Sequence, residues 1–154
     1  MIKAWRIVKS RYKTSAFSGQ GSAYASGRWH ELKVPVVYSS DSPALAALEQ
    51  FVHLQDEGKQ IKFVLFEIQI PLSLIIKVED ITSLPKSWKK QPPHPTTKKI
   101  GSQWYKSANS AVLSVPAVLV PNSRNFLLNP HHPNFKKIKI LPSTPFSFDP
   151  RLWK

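Results

Sequence analysis

The chain predicts an α+β domain built around a bent, mostly antiparallel sheet. Three observations carry that reading. Ile61 to Ile70 (IKFVLFEIQI) alternates at period two, with Phe63, Leu65, Glu67 and Gln69 on one face and Val64, Phe66, Ile68 and Ile70 on the other. A well-marked helix start lies at Ser42-Pro43, followed by a run of Ala and Leu. Strand-like and helix-like segments then mix along the chain, roughly six or seven of the first against two or three of the second. With 154 residues, 42% of them hydrophobic, and no internal repeat, the whole of 1–154 reads as a single domain.

Taken in order, Ile2 to Val8 alternates as a first strand, with Ala4, Arg6 and Val8 opposite Trp5 and Ile7. Arg11 to Ser26 is rich in Ser, Gly, Tyr and Ala without helical period and reads as a loop. Its Gly19 and Gly21 either let backbone N–H groups approach an anion or simply turn the chain. Val34 to Ser40 is β-branched and aromatic, with Pro35 near its start, where a missing N–H is tolerated. Asp41 or Ser42 caps a helix reaching Gln55, with Pro43 at its first position and Gly58 as its stop. Leu74 to Val78 reads as a short strand.

Pro85 to Lys99 carries Pro85, Pro92, Pro93 and Pro95 among lysines and Trp88, the composition of an irregular surface loop. Thr97 to Ser107 forms a helix with Ile100, Trp104 and Ser107 aligned. Val112 to Val120, broken by Pro116, is one bent strand or two short ones. Phe126-Leu127-Leu128 is a buried strand, and Phe135 to Leu141 alternates Ile138 and Ile140 with lysines as a half-exposed one. The tail, with Phe146, Phe148 and Trp153, is expected to dock on the body rather than expose three aromatics.

No apolar run reaches a membrane span, and the basic N-terminus lacks an apolar segment after it, so no membrane association is expected. The absence of cysteine excludes disulfides and thiolate metal sites. A soluble, cytoplasmic protein is the expectation. The net charge of +13 suits nucleic acid, a polyphosphate or dinucleotide, or an acidic protein partner. Its lysines are dispersed, and no zinc-finger spacing, RNP-like motif or clear helix-turn-helix accompanies them. Charge alone leaves the partner open.

Glu49 is the residue that asks for a reason. It shares a helix side with Leu45, Val52 and His53, and a carboxylate there either pairs with a cation or lines a pocket. Nearby, Gly27-Arg28-Trp29-His30 supplies a guanidinium, and Tyr38 on the following strand supplies a phenol. Arg28 is either a salt-bridge partner of Glu49 or a ligand-binding group. Trp29 and Trp104 read first as core. Asn129, His131 and His132 fall in Asn-Pro-His-His-Pro, which builds a rigid turn more readily than a metal site, so no metal is expected.

Several stretches together resemble the RES domain family. They are Trp5-Arg6, Gly19-Gln20-Gly21-Ser22-Ala23, Gly27-Arg28-Trp29-His30, Val36-Val37-Tyr38-Ser39-Ser40 and Ala44-Leu45-Ala46-Ala47-Leu48-Glu49. They continue through Gly101-Ser102-Gln103-Trp104, Leu113-Ser114-Val115-Pro116-Ala117, Asn125-Phe126-Leu127-Leu128-Asn129-Pro130-His131-His132-Pro133 and Phe148-Asp149-Pro150-Arg151-Leu152. That family supplies the toxins of a class of bacterial toxin–antitoxin pairs. The resemblance implies a fold similar to the ADP-ribosyltransferase toxins and cleavage of NAD at the nicotinamide–ribose bond. NAD is then a substrate, and no cofactor is implied. Water or phosphate accepts the ADP-ribose, or a protein does.

Residue by residue, the resemblance assigns Arg28 and Glu49 to the family's arginine and glutamate and Tyr38 to the strand facing the nicotinamide. Ser39, Trp29 and Asn129 join them as expected substrate contacts. A carboxylate suits an oxocarbenium-like transition state, a guanidinium suits pyrophosphate, and an aromatic wall suits nicotinamide. The implied partner is a cognate antitoxin of the Xre type that blocks the pocket, with self-association left open and direct DNA binding not expected. One departure stands out: the family serine after Val-Pro is Ala117 here, which removes a hydroxyl that Ser39 or Ser40 would have to supply. The competing class is a non-catalytic basic module that binds nucleic acid or protein.

Overall fold

The computed structural model describes residues 1–154, the side chain of Glu57 excepted. Its centre is an eight-stranded sheet in the order β4-β5-β6-β2-β1-β3-β7, with β8 also paired to β3. The strands are β1 (Ile2–Lys9), β2 (Val37–Ser40), β3 (Phe63–Ile70), β4 (Ile75–Lys77), β5 (Val112–Pro116), β6 (Arg124–Leu128), β7 (Lys139–Ile140) and β8 (Thr144–Phe146). Only β4 and β5 run parallel; every other pairing is antiparallel. The α+β, mostly antiparallel architecture read from the sequence is the one observed.

The helices are α1 (Gln20–Tyr24), α2 (Pro43–Phe51) and α3 (Pro95–Ser107). Alternation along the strands separates two apolar layers. On one face, Ile7 and Phe63 pack with Ala46 of α2 and the tail residue Phe148, while Leu113, Val115 and Leu127 pack with Trp104 of α3 and Trp29. On the other, Ala4, Val37, Ile68, Ile70, Phe126 and Leu128 meet Phe17, Leu74, Phe135 and Ile138. The tail docks as expected, with Phe148 edge-on to Phe63 and Phe146 and near Trp153. No helix among the described residues is long and apolar enough to cross a membrane.

Several boundaries differ from the sequence reading, each for a local reason. The stretch read as a loop contains a 3-10 turn at Ser10–Ser15 and the short helix α1. Gly19 (φ 79°) precedes α1, and a Cβ there would lie 2.7 Å from the Pro35 carbonyl oxygen, so this glycine serves close packing and a left-handed turn. Ser42 caps α2 by accepting from the Leu45 N–H at 3.0 Å, whereas Asp41 accepts from the Arg124 N–H at 2.7 Å. The helix stops at Phe51, short of Gln55, and a 3-10 turn occupies Asp56–Lys59 where Gly58 was read as a stop. Helix α3 begins at Pro95 because His94 accepts from the Thr96 N–H at 3.0 Å. Phe135 to Leu141 starts inside a 3-10 turn, Pro133–Lys137, and only Lys139–Ile140 pairs as strand.

One irregularity in the sheet positions the site. β1 pairs with β3 along its whole length, from Ile2↔Ile70 to Lys9↔Phe63, but with β2 at the single register pair Trp5↔Ser40. Beyond that point the two strands part. Arg6 bridges the split, donating from Nη1 to the Tyr38 carbonyl at 2.9 Å and from Nε to the Ala16 carbonyl at 2.8 Å. Burial pulls this guanidinium down to about 10. A cleft of about 420 Å³ opens there, lined by Arg6, Ile7, Tyr12, Gln20, Tyr24 and Gln50.

Candidate active site

The helix-covered face of β2 and β6 carries Tyr38, Ser40 and Asn125, since Ser40 is the register partner of Asn125 and Tyr38 lies two residues back. Glu49 comes down from α2 onto the same face. Asn125 Nδ2 donates to Glu49 Oε1 at 2.9 Å, and Ser40 Oγ donates to Asn125 Oδ1 at 2.7 Å. A hydroxyl, an amide and a carboxylate thus form one chain, which fixes one oxygen of Glu49 and leaves the other outside it. Gln50, the neighbour of Glu49, lines the cleft at the sheet split, as does Arg6 beside Tyr38.

Asn125 is itself held firmly. The adjacent Arg124 pairs its backbone with Asp41 in both directions, at 3.0 and 2.7 Å. Its guanidinium grips both oxygens of Glu79 at 2.7 Å and donates to Ser114 Oγ at 3.0 Å. Such a fork-to-fork pair ties β6 to the segment after β4 and holds the Glu79 carboxyl below the usual carboxylate range.

Tyr38 is buried at its hydroxyl. Its oxygen lies 2.7 Å from His30 Nδ1 and accepts from the Trp29 N–H at 3.3 Å. Burial pushes the phenol well above its ordinary range, and the Glu49 carboxylate adds to that shift. Arg28 does not form an ion pair with Glu49. Its Nη1 donates to the Trp88 and Lys90 carbonyls at 2.8 and 2.9 Å, and Nη2 donates to Gln91 Oε1 at 2.7 Å. Partial burial lowers this guanidinium from its usual value, while Glu49 and Tyr38 act on it electrostatically in the opposite sense. Among the described residues its Nε–H has no protein partner, and Glu49 and Tyr38 lie near enough to act on the guanidinium.

Arg28, Tyr38 and Glu49 therefore converge, and three other expected contacts do not. Ser39 points to the opposite sheet face, where its hydroxyl donates to the Phe126 carbonyl at 3.1 Å; strand alternation excludes it once Tyr38 faces the helices. Trp29 is core, packed on Trp88 with ring centroids 6.2 Å apart, and only its backbone N–H touches the cluster. Asn129 sits at the far end of β6, and its side chain accepts from the His131 N–H at 2.9 Å, closing the turn. No group of three metal-capable side chains occurs among the described residues.

Ala117 is buried just past β5, its N–H bonded to the Ser123 carbonyl at 2.9 Å. The serine that reaches the carboxylate, through an amide, is Ser40. Sequence reasoning missed Asn125 and His30. The sequence reading takes Ser39 as a contact, although period-two spacing from Tyr38 favours Ser40; no local signal marks Asn125.

The fold is one already solved in a bacterial toxin. The chain aligns with the Mycobacterium tuberculosis MbcT–MbcA toxin–antitoxin complex at a TM-score of 0.77 and 14% identity, covering 95% of this chain and 84% of the other. The RES domain family model matches residues 3–149, and the chain belongs to that family. It is 38% identical to the "Prs ADP-ribosylating toxin" of a Sphingobium species over 152 residues, 96% of this chain and 94% of the relative. It is also 38% identical to "Toxin Res" of Yersinia enterocolitica over 149 residues, 96% and 97% of the two chains.

Proposed function

We propose that this chain is the toxin of a toxin–antitoxin pair and that it depletes NAD by cleaving the nicotinamide–ribose bond. The observation that carries the reading is the Ser40–Asn125–Glu49 chain, which orients a carboxylate close enough to the Tyr38 phenol and the Arg28 guanidinium to act on both. Nicotinamide departs with the electron pair of its glycosidic bond, and positive charge builds on the ribose carbon. Glu49 stabilises that charge, with Asn125 and Ser40 fixing its orientation. The Arg28 guanidinium, through its Nε–H, takes a pyrophosphate oxygen, and the Tyr38 ring forms a wall for the nicotinamide.

Water completes the reaction by giving ADP-ribose and one proton; phosphate gives the corresponding ribosyl phosphate. Transfer to a protein side chain is the second reading, favoured by the relative named an ADP-ribosylating toxin. With Asn125 and Ser40 supporting the carboxylate, Ala117 need not silence the chemistry.

Incubating the purified chain with NAD labelled in its adenine separates the outcomes. Label in free ADP-ribose or its phosphate supports depletion, label on protein supports transfer, and unchanged NAD in every arm overturns both. Asn125→Ala is expected to lower kcat about tenfold, the worth of one hydrogen bond to a charged group, with little change in KM. A KM effect alone in steady-state kinetics would contradict the orienting role.

The proposed partner is an antitoxin of the Xre type that covers the cleft, and the chain acts in the cytoplasm. The charge of +13 would speed encounter with an acidic antitoxin surface.

A further inference from the structure

His30 is buried, with 3% of its surface exposed, and every polar contact of its ring is accounted for. Nε2 lies 3.0 Å from the Ser22 carbonyl oxygen and 2.6 Å from that of Ala25. Both are acceptors only, so Nε2 carries the proton. In the neutral ring Nδ1 is then an acceptor, and Tyr38 must donate its O–H to it across 2.7 Å. The Trp29 N–H occupies the phenol oxygen from the other side. Gly27 makes the contact possible: a Cβ there would lie 2.8 Å from His30 Cε1 and 3.1 Å from the Tyr38 oxygen.

Protonation of His30 reverses the bond. Nδ1–H would become a donor, the Tyr38 oxygen would have to accept it, and the phenol proton would turn away from His30. Neighbouring groups weigh against that state. Burial lowers the imidazole from its usual value, and Lys98 on α3 lowers it further, while the two carbonyls partly offset them. Arg28 lies two residues before it in the chain, and Glu49 and Arg28 both act on Tyr38.

We propose that His30 is a positioning residue for the reaction: as the neutral Nε2–H tautomer it holds the Tyr38 hydroxyl, so that Tyr38 stands fixed near Glu49 and Arg28 with no free O–H. The inference rests on the proposed NAD reaction at this site. Its pH sign follows from the proton count. The unfolded ring binds a proton near pH 6.5 and the folded ring only below that. The stability contribution is therefore complete above pH 6.5 and declines as pH falls towards the lowered value, whereas the Tyr38 contact in the folded chain persists until pH falls through that lowered value.

The test compares the native chain with His30→Asn, which keeps an acceptor near Nδ1 but cannot titrate, and His30→Leu, which has none. His30→Asn is expected to retain kcat/KM within a few-fold and to lose the acid limb of the pH profile. His30→Leu is expected to lose about tenfold at neutral pH, the loss of one buried hydrogen bond. An acid limb unchanged in His30→Asn overturns the proposal. Independently of catalysis, imidazole ¹⁵N shifts of the native chain should report the Nε2–H tautomer at neutral pH. The Nδ1–H tautomer would overturn the proposal even if no NAD were consumed, whereas absence of turnover with the Nε2–H tautomer present would count against the NAD reading alone.

Discussion

Replacing Glu49 by glutamine is expected to lower NAD turnover at least a hundredfold while leaving the protein folded. The amide oxygen of glutamine can still accept from Asn125 Nδ2, so the Ser40–Asn125 chain keeps its geometry. What is lost is the negative charge opposite the developing ribosyl cation. Removing one preorganised electrostatic partner of a transition state typically costs ~10²–10³ in kcat. NAD affinity, measured by calorimetric titration, should remain within a few-fold, because Arg28 and Tyr38 are untouched. Thermal melting should show no loss of stability.

Gly101→Ala is expected to be the most damaging small substitution in the chain. A Cβ at Gly101 would fall 1.6 Å from the Trp29 carbonyl oxygen and 2.7 Å from its carbonyl carbon. Both atoms are backbone, so no rotamer change relieves the clash. Either α3 or the Gly27–His30 segment has to move. That segment is also tied to α3 through the Glu31 N–H and Ser102 Oγ at 2.9 Å. Overpacking a core costs about 1–3 kcal/mol where side chains can adjust, and a backbone clash lies at or above ~3 kcal/mol. The gain of about 1 kcal/mol in helix propensity does not offset it. A fall in melting temperature of roughly 10 °C is expected, measured calorimetrically. Gly21→Ala is the control: nothing lies within 4 Å of its Cβ position, and its melting temperature should hold or rise slightly.

Much of this was readable in the sequence because it is written locally. The β3 alternation and the Ser42-Pro43 start of α2 each depend on neighbours a few residues apart, and both stand as read apart from their ends. Arg28, Tyr38 and Glu49 lie within one loop–strand–helix unit, and that unit brings them together.

What was not readable depends on register between distant segments. Asn125 acquires its place only because β6 pairs with β2 so that it faces Ser40. Asn129, four residues on, looks as polar and as well placed in the sequence, yet serves its own turn. His30 matters because α1 folds back to put the Ser22 and Ala25 carbonyls against it, in a stretch that carries no helical period. Strand β8 was hidden by Pro145, which sits in an edge strand, where a missing N–H does least harm.

Release of nicotinamide from NAD by the purified wild-type chain, followed over time with and without phosphate, tests the central claim most directly. Multiple turnovers by wild-type chain, absent in Glu49→Gln, are the expected result. No release from a folded wild-type chain, or equal release by the two proteins, would contradict it.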